Sequence, residues 1–126
     1  MSIFKTGAVT ARKFSGQGLG FADLAVLYAI SQAPEGKIRR TDLAEKVGLT
    51  ASGVTRLLIP LEKIGIVKRE NHERDARSGY TVITKSGQEL FENAIKLAEM
   101  RCDELIPSEF GKKVEQASQL LDSIIK

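Results

Sequence analysis

The side chains with chemical reach in this chain are hydrogen-bond donors and cations, and they crowd its middle. Ser52, Gly53, Thr55 and Arg56 share one side of a stretch whose apolar residues Val54, Leu57, Leu58, Leu61 and Ile64 recur at helical spacing. Small and hydroxyl residues with one long guanidinium make a face that can approach base edges and phosphates closely. A plain solvated helix surface ranks second, because Gly53 weakens a helix that has nothing to approach. Lys68, Arg69, Arg74, Asp75 and Arg77 follow in a polar run that also holds His72. His72 is the only histidine, so a nucleophile–base–acid set and a metal site both lack their usual members. The spacing therefore suits recognition of an anionic partner; no metal, no cofactor and no enzymatic activity are expected.

The charge distribution agrees with that reading. The net charge is only +3, but residues 37–77 carry ten Lys or Arg against six Asp or Glu, while residues 86–126 carry five against eight. A basic middle beside an acidic tail suggests that one surface meets an anion and the other does something else; solvated faces of mixed sign are the blander possibility. With 126 residues, 42% hydrophobic, the chain fits one compact domain with an appended helical element. No long apolar run and no signal-peptide pattern occur, so secretion and membrane spanning are disfavoured and a cytoplasmic location is expected. The lone Cys102 cannot form an internal disulfide and suits a reducing compartment; a packed or half-exposed residue is the simpler reading, with a redox-sensing thiol the minor one.

The elements that must position these groups are legible in order. Residues 1–14 have no strict period and read as a short or frayed helix. The glycines at 16, 18 and 20 lack the strand and βαβ unit of a phosphate loop and read as a connector. Leu24, Leu27, Tyr28 and Ile30 mark a core helix over residues 21–33, stopped by Pro34-Glu35-Gly36. Residues 37–39 leave room for a very short strand. Thr41 is the expected N-cap of the next helix, with Asp42 near its positive end and Leu43 and Val47 facing the core.

Gly48-Leu49-Thr50 closes that helix and caps the next, residues 51–64, which Pro60 should bend locally without ending. Past Gly65, Ile66-Val67 and Val82-Ile83 flank the polar loop as two strands of a hairpin. Thr84 or Ser86 can cap a long helix carrying Leu90, Phe91, Ala94, Leu97, Ala98 and Cys102, with Ser86 and Glu89 at capping-box spacing. Ile106-Pro107-Ser108 interrupts it, and a last helix carries Phe110, Val114, Ala117, Leu120, Leu121, Ile124 and Ile125. So apolar a terminal helix calls for a partner subunit, or else for folding back on its own domain.

Helix, tight turn, helix and two strands around a basic loop predict a mainly α winged helix-turn-helix with a small β-hairpin wing. The residues DLAEKVGLTASGVTRLLIPLEKIGIVKRE, the Asp75-Ala76-Arg77 triplet and the following ITKSGQEL resemble the MarR family of winged-helix transcriptional regulators, from Gly20 to the C-terminus. The resemblance implies a homodimeric DNA-binding protein, usually a repressor, with interleaved terminal helices. It implies three regions: residues 1–20 contributing to dimerisation, 21–85 the DNA-binding domain, and 86–126 the C-terminal dimerisation helices.

Residue by residue, the resemblance makes 51–64 the recognition helix, with Ser52, Gly53, Thr55 and Arg56 in the major groove. Arg77 would enter the minor groove from the wing with Asp75 orienting it, while Lys68, Arg69 and Arg74 would contact phosphates. Dimer contacts are expected from Ile3, Phe4, Leu97, Ile106, Leu120, Leu121, Ile124 and Ile125. A small aromatic or anionic effector that releases the DNA is a further implication. The competing class is a winged-helix protein-interaction or scaffolding module, which an apolar recognition face would favour; only Ile59 breaks the polarity of that face.

Overall fold

The computed structural model describes residues 19–71 and 79–125. Five α-helices and three short strands run in the order α1 (Phe21–Gln32), β1 (Lys37–Arg39), α2 (Arg40–Val47), α3 (Ala51–Lys63), β2 (Val67–Glu70), β3 (Tyr80–Ile83), α4 (Lys85–Leu105) and α5 (Gly111–Ile125). Single 3-10 turns, Pro34–Gly36 and Ser108–Phe110, precede β1 and α5. The strands form one antiparallel sheet in the order β1-β3-β2. The hairpin expected from sequence is thus two-thirds of a sheet: β1, only three residues long, completes it by pairing Lys37, Ile38 and Arg39 with Val82, Thr81 and Tyr80.

α1 is the hub. Leu24, Val26, Leu27, Ala29 and Ile30 are all buried, so its apolar surface wraps most of the helix instead of forming one stripe. It accordingly touches α2, α3, α4, β1 and β3. Tyr28, expected in the core, is instead 56% exposed, because it points toward α4 at the edge where Phe91 lies. A Tyr tolerates that position since its hydroxyl needs water or a partner. α1 starts at Gly20, whose amide donates to the Asp23 carboxylate at 2.9 Å.

The caps decide where the central helices begin and end. α2 starts at Arg40, one residue before the expected cap, so Thr41 lies inside the helix and Arg39 is the N-cap with no side-chain bond. Gly48 closes α2 in the left-handed region at φ 71, where a side chain would be strained. Thr50 then caps α3, accepting the Gly53 amide at 3.0 Å. α3 runs unbroken through Pro60. It buries Val54, Leu58 and Leu61, with Leu57 partly covered, but Ile64 lies past its last turn and is 66% exposed. The periodic stripe ran one step beyond the helix that carries it.

At α4 the cap is Thr84 and not Ser86: the Thr84 hydroxyl accepts the Gly87 amide at 3.0 Å and donates to the Gly65 carbonyl at 2.6 Å. The first turn of α4 thereby locks onto the end of the helix-turn-helix. Gly87 is required there, since an added Cβ would lie 2.9 Å from the Ile66 carbonyl carbon and closer still to its oxygen. Phe91 and Ala94 join the same core cluster as α1, α2 and α3. From residue 99 onward nothing in α4 is buried, and every residue from 111 to 124 in α5 is exposed.

Candidate nucleic-acid interface

α3 presents its unburied side on a firmly anchored frame. Ser52 and Arg56 are exposed, Gly53 and Thr55 half-buried, and Lys68 and Arg69 stand exposed on the neighbouring β2. Ser52 Oγ lies 3.2 Å from the capping Thr50 hydroxyl, so the first turn of α3 is organised as a small polar cluster. Gly53 has a reason inside the protein as well: an added Cβ would sit 3.2 Å from Thr50 Oγ1, tighter than ordinary packing. Arg56 makes no hydrogen bond or ion pair among the described residues and is available to a ligand.

Thr55 differs from its neighbours. Its hydroxyl donates to the Ala51 carbonyl at 3.0 Å and accepts from Arg40 Nη1 at 3.2 Å. Arg40 also donates through Nη2 to Glu62 Oε1 at 2.8 Å, and Arg69 Nε reaches the same oxygen at 3.4 Å. Thr55 and Glu62 are seven residues apart, two turns, so the planar Arg40 fork holds α3 at two points along one side. Sequence reasoning missed Arg40 and Glu62; their opposite charges 22 positions apart carry no local signal. Arg74, Asp75 and Arg77 fall outside the described residues, as do His72, Ile3 and Phe4.

The sheet's outer face is a second charged surface. Lys37 bridges Glu35 at 3.4 Å and Glu70 at 3.3 Å. The hydrogen bond that Lys37 donates to the Glu70 carboxylate, seconded by the one to Glu35, raises the Lys37 pKa above the ordinary lysine value of 10.5. Lys37 and Arg39 both lie over the Tyr80 ring, at 5.4 and 5.8 Å from its centroid.

An open groove of about 390 Å³ runs between α1 and α4, lined by Tyr28, Gln32, Phe91, Glu92, Ile95, Lys96 and Glu99. The Tyr28 and Phe91 rings are 6.5 Å apart and tilted by 47°. Among the expected dimer contacts, Leu97 is half-buried, while Ile106, Leu120, Leu121 and Ile124 are exposed apolar side chains. Exposed apolar residues also flank the polar face of α3: Leu49 and Ile64 join the anticipated Ile59. Among the described residues no group of three His, Cys, Asp or Glu could hold a metal ion, and no helix is long and apolar enough to cross a membrane.

A capped recognition-type helix after a tight turn, with a small antiparallel sheet beside it, defines a winged helix-turn-helix. The MarR family model matches residues 22–78, which include α1, α2, α3 and β2. Two relatives come from Bacillus subtilis (strain 168). One is the uncharacterized HTH-type transcriptional regulator YfiV, 41% identical over 56 residues, 44% of this chain and 35% of YfiV. The other is the HTH-type transcriptional repressor YetL, 26% identical over 108 residues, 86% of this chain and 58% of YetL. The chain thus spans about a third to three-fifths of the length of these relatives.

The fold is also similar to that of CouR. The structure of CouR from Rhodococcus jostii RHA1 bound to p-coumaroyl-CoA superposes with a TM-score of 0.85 at 22% identity, covering 98% of this chain and 89% of that one. A structure of the transcriptional repressor CouR bound to a 23-mer DNA duplex gives a TM-score of 0.85 at 21% identity, covering 99% and 90%.

Proposed function

We propose that this chain is a member of the MarR family and a sequence-specific DNA-binding transcriptional regulator of the cytoplasm, acting as a homodimeric repressor. The observation that carries the reading is α3. Its buried side, Val54, Leu58 and Leu61, and its Thr50 cap fix it to the domain, while Ser52 and Arg56 are left off the buried stripe and Lys68 is exposed on β2. Such a helix can enter a major groove of about 12 Å, where Arg56 supplies the bidentate donor suited to guanine. Gly53 admits close approach, and Thr55, tied to Arg40, orients the helix more than it reads bases. Lys68, Arg69 and Arg74 meet phosphates, and Arg77, oriented by Asp75, enters the minor groove, where negative potential is concentrated. That CouR has been captured on a DNA duplex supports the reading.

The exposed apolar side chains Ile106, Leu120, Leu121 and Ile124, together with Ile125, Leu97, Ile3 and Phe4, form the dimer interface. A twofold dimer reads a near-palindromic operator whose half-sites lie about 10 bp apart or a small multiple of that. A small aromatic or anionic molecule is the proposed effector: the groove between α1 and α4 offers Tyr28 and Phe91 as ring surfaces, with Lys96 standing among the carboxylates Glu92 and Glu99. CouR bound to p-coumaroyl-CoA lends that class of ligand support.

The test is selection of bound fragments from a genomic library by the purified protein. Enrichment of a palindromic motif is the expected result. Leu49, Ile59 and Ile64, exposed around α3, are what favours the alternative of a protein-interaction module. Absence of any enriched sequence would shift the assignment to that module.

A further inference from the structure

Glu62 stands where the recognition helix, the first helix of the motif and the strand leading to the wing meet. One of its carboxylate oxygens receives Arg40 Nη2 from α2 at 2.8 Å and Arg69 Nε from β2 at 3.4 Å. The three side chains differ in exposure: Arg40 20%, Glu62 26% and Arg69 59%. Arg40 is therefore the half-buried brace, its Nη1 donating to Thr55 Oγ1 at 3.2 Å, and Arg69 is the cation that faces solvent. Two guanidinium groups share one carboxylate, so the cluster keeps one uncompensated positive charge at the C-terminal end of α3. The longer contact to Arg69 is the one that yields to a competing anion.

We propose that Glu62 is a specificity-determining residue: it tethers Arg69 to the recognition helix, so that this guanidinium meets a DNA phosphate only when α3 is seated in its groove. The inference rests on the DNA-binding reading above and deepens it. An untethered arginine on an exposed strand engages the phosphates of any sequence, since backbone contacts carry affinity without sequence information. A tether to the element that reads bases makes the phosphate contact conditional on the base contact. Arg40 contributes by fixing the position of Glu62 and Thr55 on one side of α3, which makes it a positioning residue and not a DNA contact.

The experiment is binding to a selected fragment and to its scrambled version over a range of salt concentrations, using the full chain. Glu62→Gln keeps the shape and loses the charge. It should tighten binding to scrambled DNA, lower the ratio of specific to scrambled affinity about fivefold, near the upper value of an exposed ion pair, and steepen the salt slope on scrambled DNA by about one unit. Adding Arg69→Gln to Glu62→Gln should return the slope on scrambled DNA to that of the parent, because the released cation is the one removed.

A brace with no role in specificity gives a different pattern: Glu62→Gln weakens both DNAs in equal proportion, and Arg69→Gln does not reverse the slope. That outcome, or an unchanged ratio and slope in a variant that melts with the parent protein, overturns the inference while leaving the DNA-binding reading intact. A parent protein that does not distinguish the two fragments brings down both.

Discussion

The Thr50 hydroxyl accepts the Gly53 amide at 3.0 Å and lies 3.2 Å from Ser52 Oγ, so one side chain both starts α3 and orders its first polar group. Thr50→Ala removes the acceptor and should cost about 1 kcal/mol, lowering the melting temperature by a few degrees. Thr50→Ser keeps it and should stay near the parent. DNA affinity should fall with the cap in the alanine variant. Equal melting temperatures for the two variants would remove the cap from the account.

Gly87 lets the first turn of α4 pass against the Ile66 carbonyl, the same group that accepts the Thr84 amide at 3.0 Å. Gly87→Ala should improve local helix propensity yet destabilise the protein by about 1–3 kcal/mol, because backbone must move to admit the methyl group. Chemical denaturation measures the difference. A neutral or stabilising result would mean that this junction is looser than its geometry states.

Lys37, with its pKa raised chiefly by Glu70 and then by Glu35, makes the sheet edge sensitive to alkali. A lysine whose folded pKa exceeds its unfolded value stabilises the fold fully below the unfolded value. That contribution is lost as pH rises through the folded pKa, so the window lies above 10.5. The parent protein should therefore lose its stability advantage over Lys37→Met above that value and keep it at neutral pH. A difference between the two that does not change with pH would contradict the ion pairs.

The wing makes its own prediction. Arg77→Ala should weaken binding to the selected fragment by about 1–3 kcal/mol if the side chain is buried in the minor groove. Lys68→Ala should lower affinity for all sequences and flatten the salt slope by about one unit. Unchanged affinity of the Arg77 variant in a gel-shift titration would take the wing out of the interface.

What the sequence made legible was local. Gly48 and Thr50 mark one helix end and the next start because αL backbone and N-caps each demand a narrow residue set, and both positions carry that role in the structure. The period of Val54, Leu58 and Leu61 located the buried side of α3 for the same reason. Illegible parts depended on distant partners. The very short strand at residues 37–39 is expected from sequence, but its pairing with β3 is not, because that partner lies more than 40 residues away. Tyr28 fits the helical period of α1 but lies at its edge, while Val26 and Ala29, off that period, are buried because α1 is surrounded. Arg40 and Glu62 look like ordinary surface charges until the helix-turn-helix brings them to 2.8 Å.

The central claim is that α3 reads bases, and Arg56 tests it most directly. Equilibrium titration of a selected fragment and its scrambled version with the parent protein and Arg56→Ala is the measurement. The account predicts a loss of about 1–3 kcal/mol on the selected fragment, with a much smaller loss on the scrambled one, as for a bidentate base contact. Equal losses on both fragments, or none on either, would contradict it.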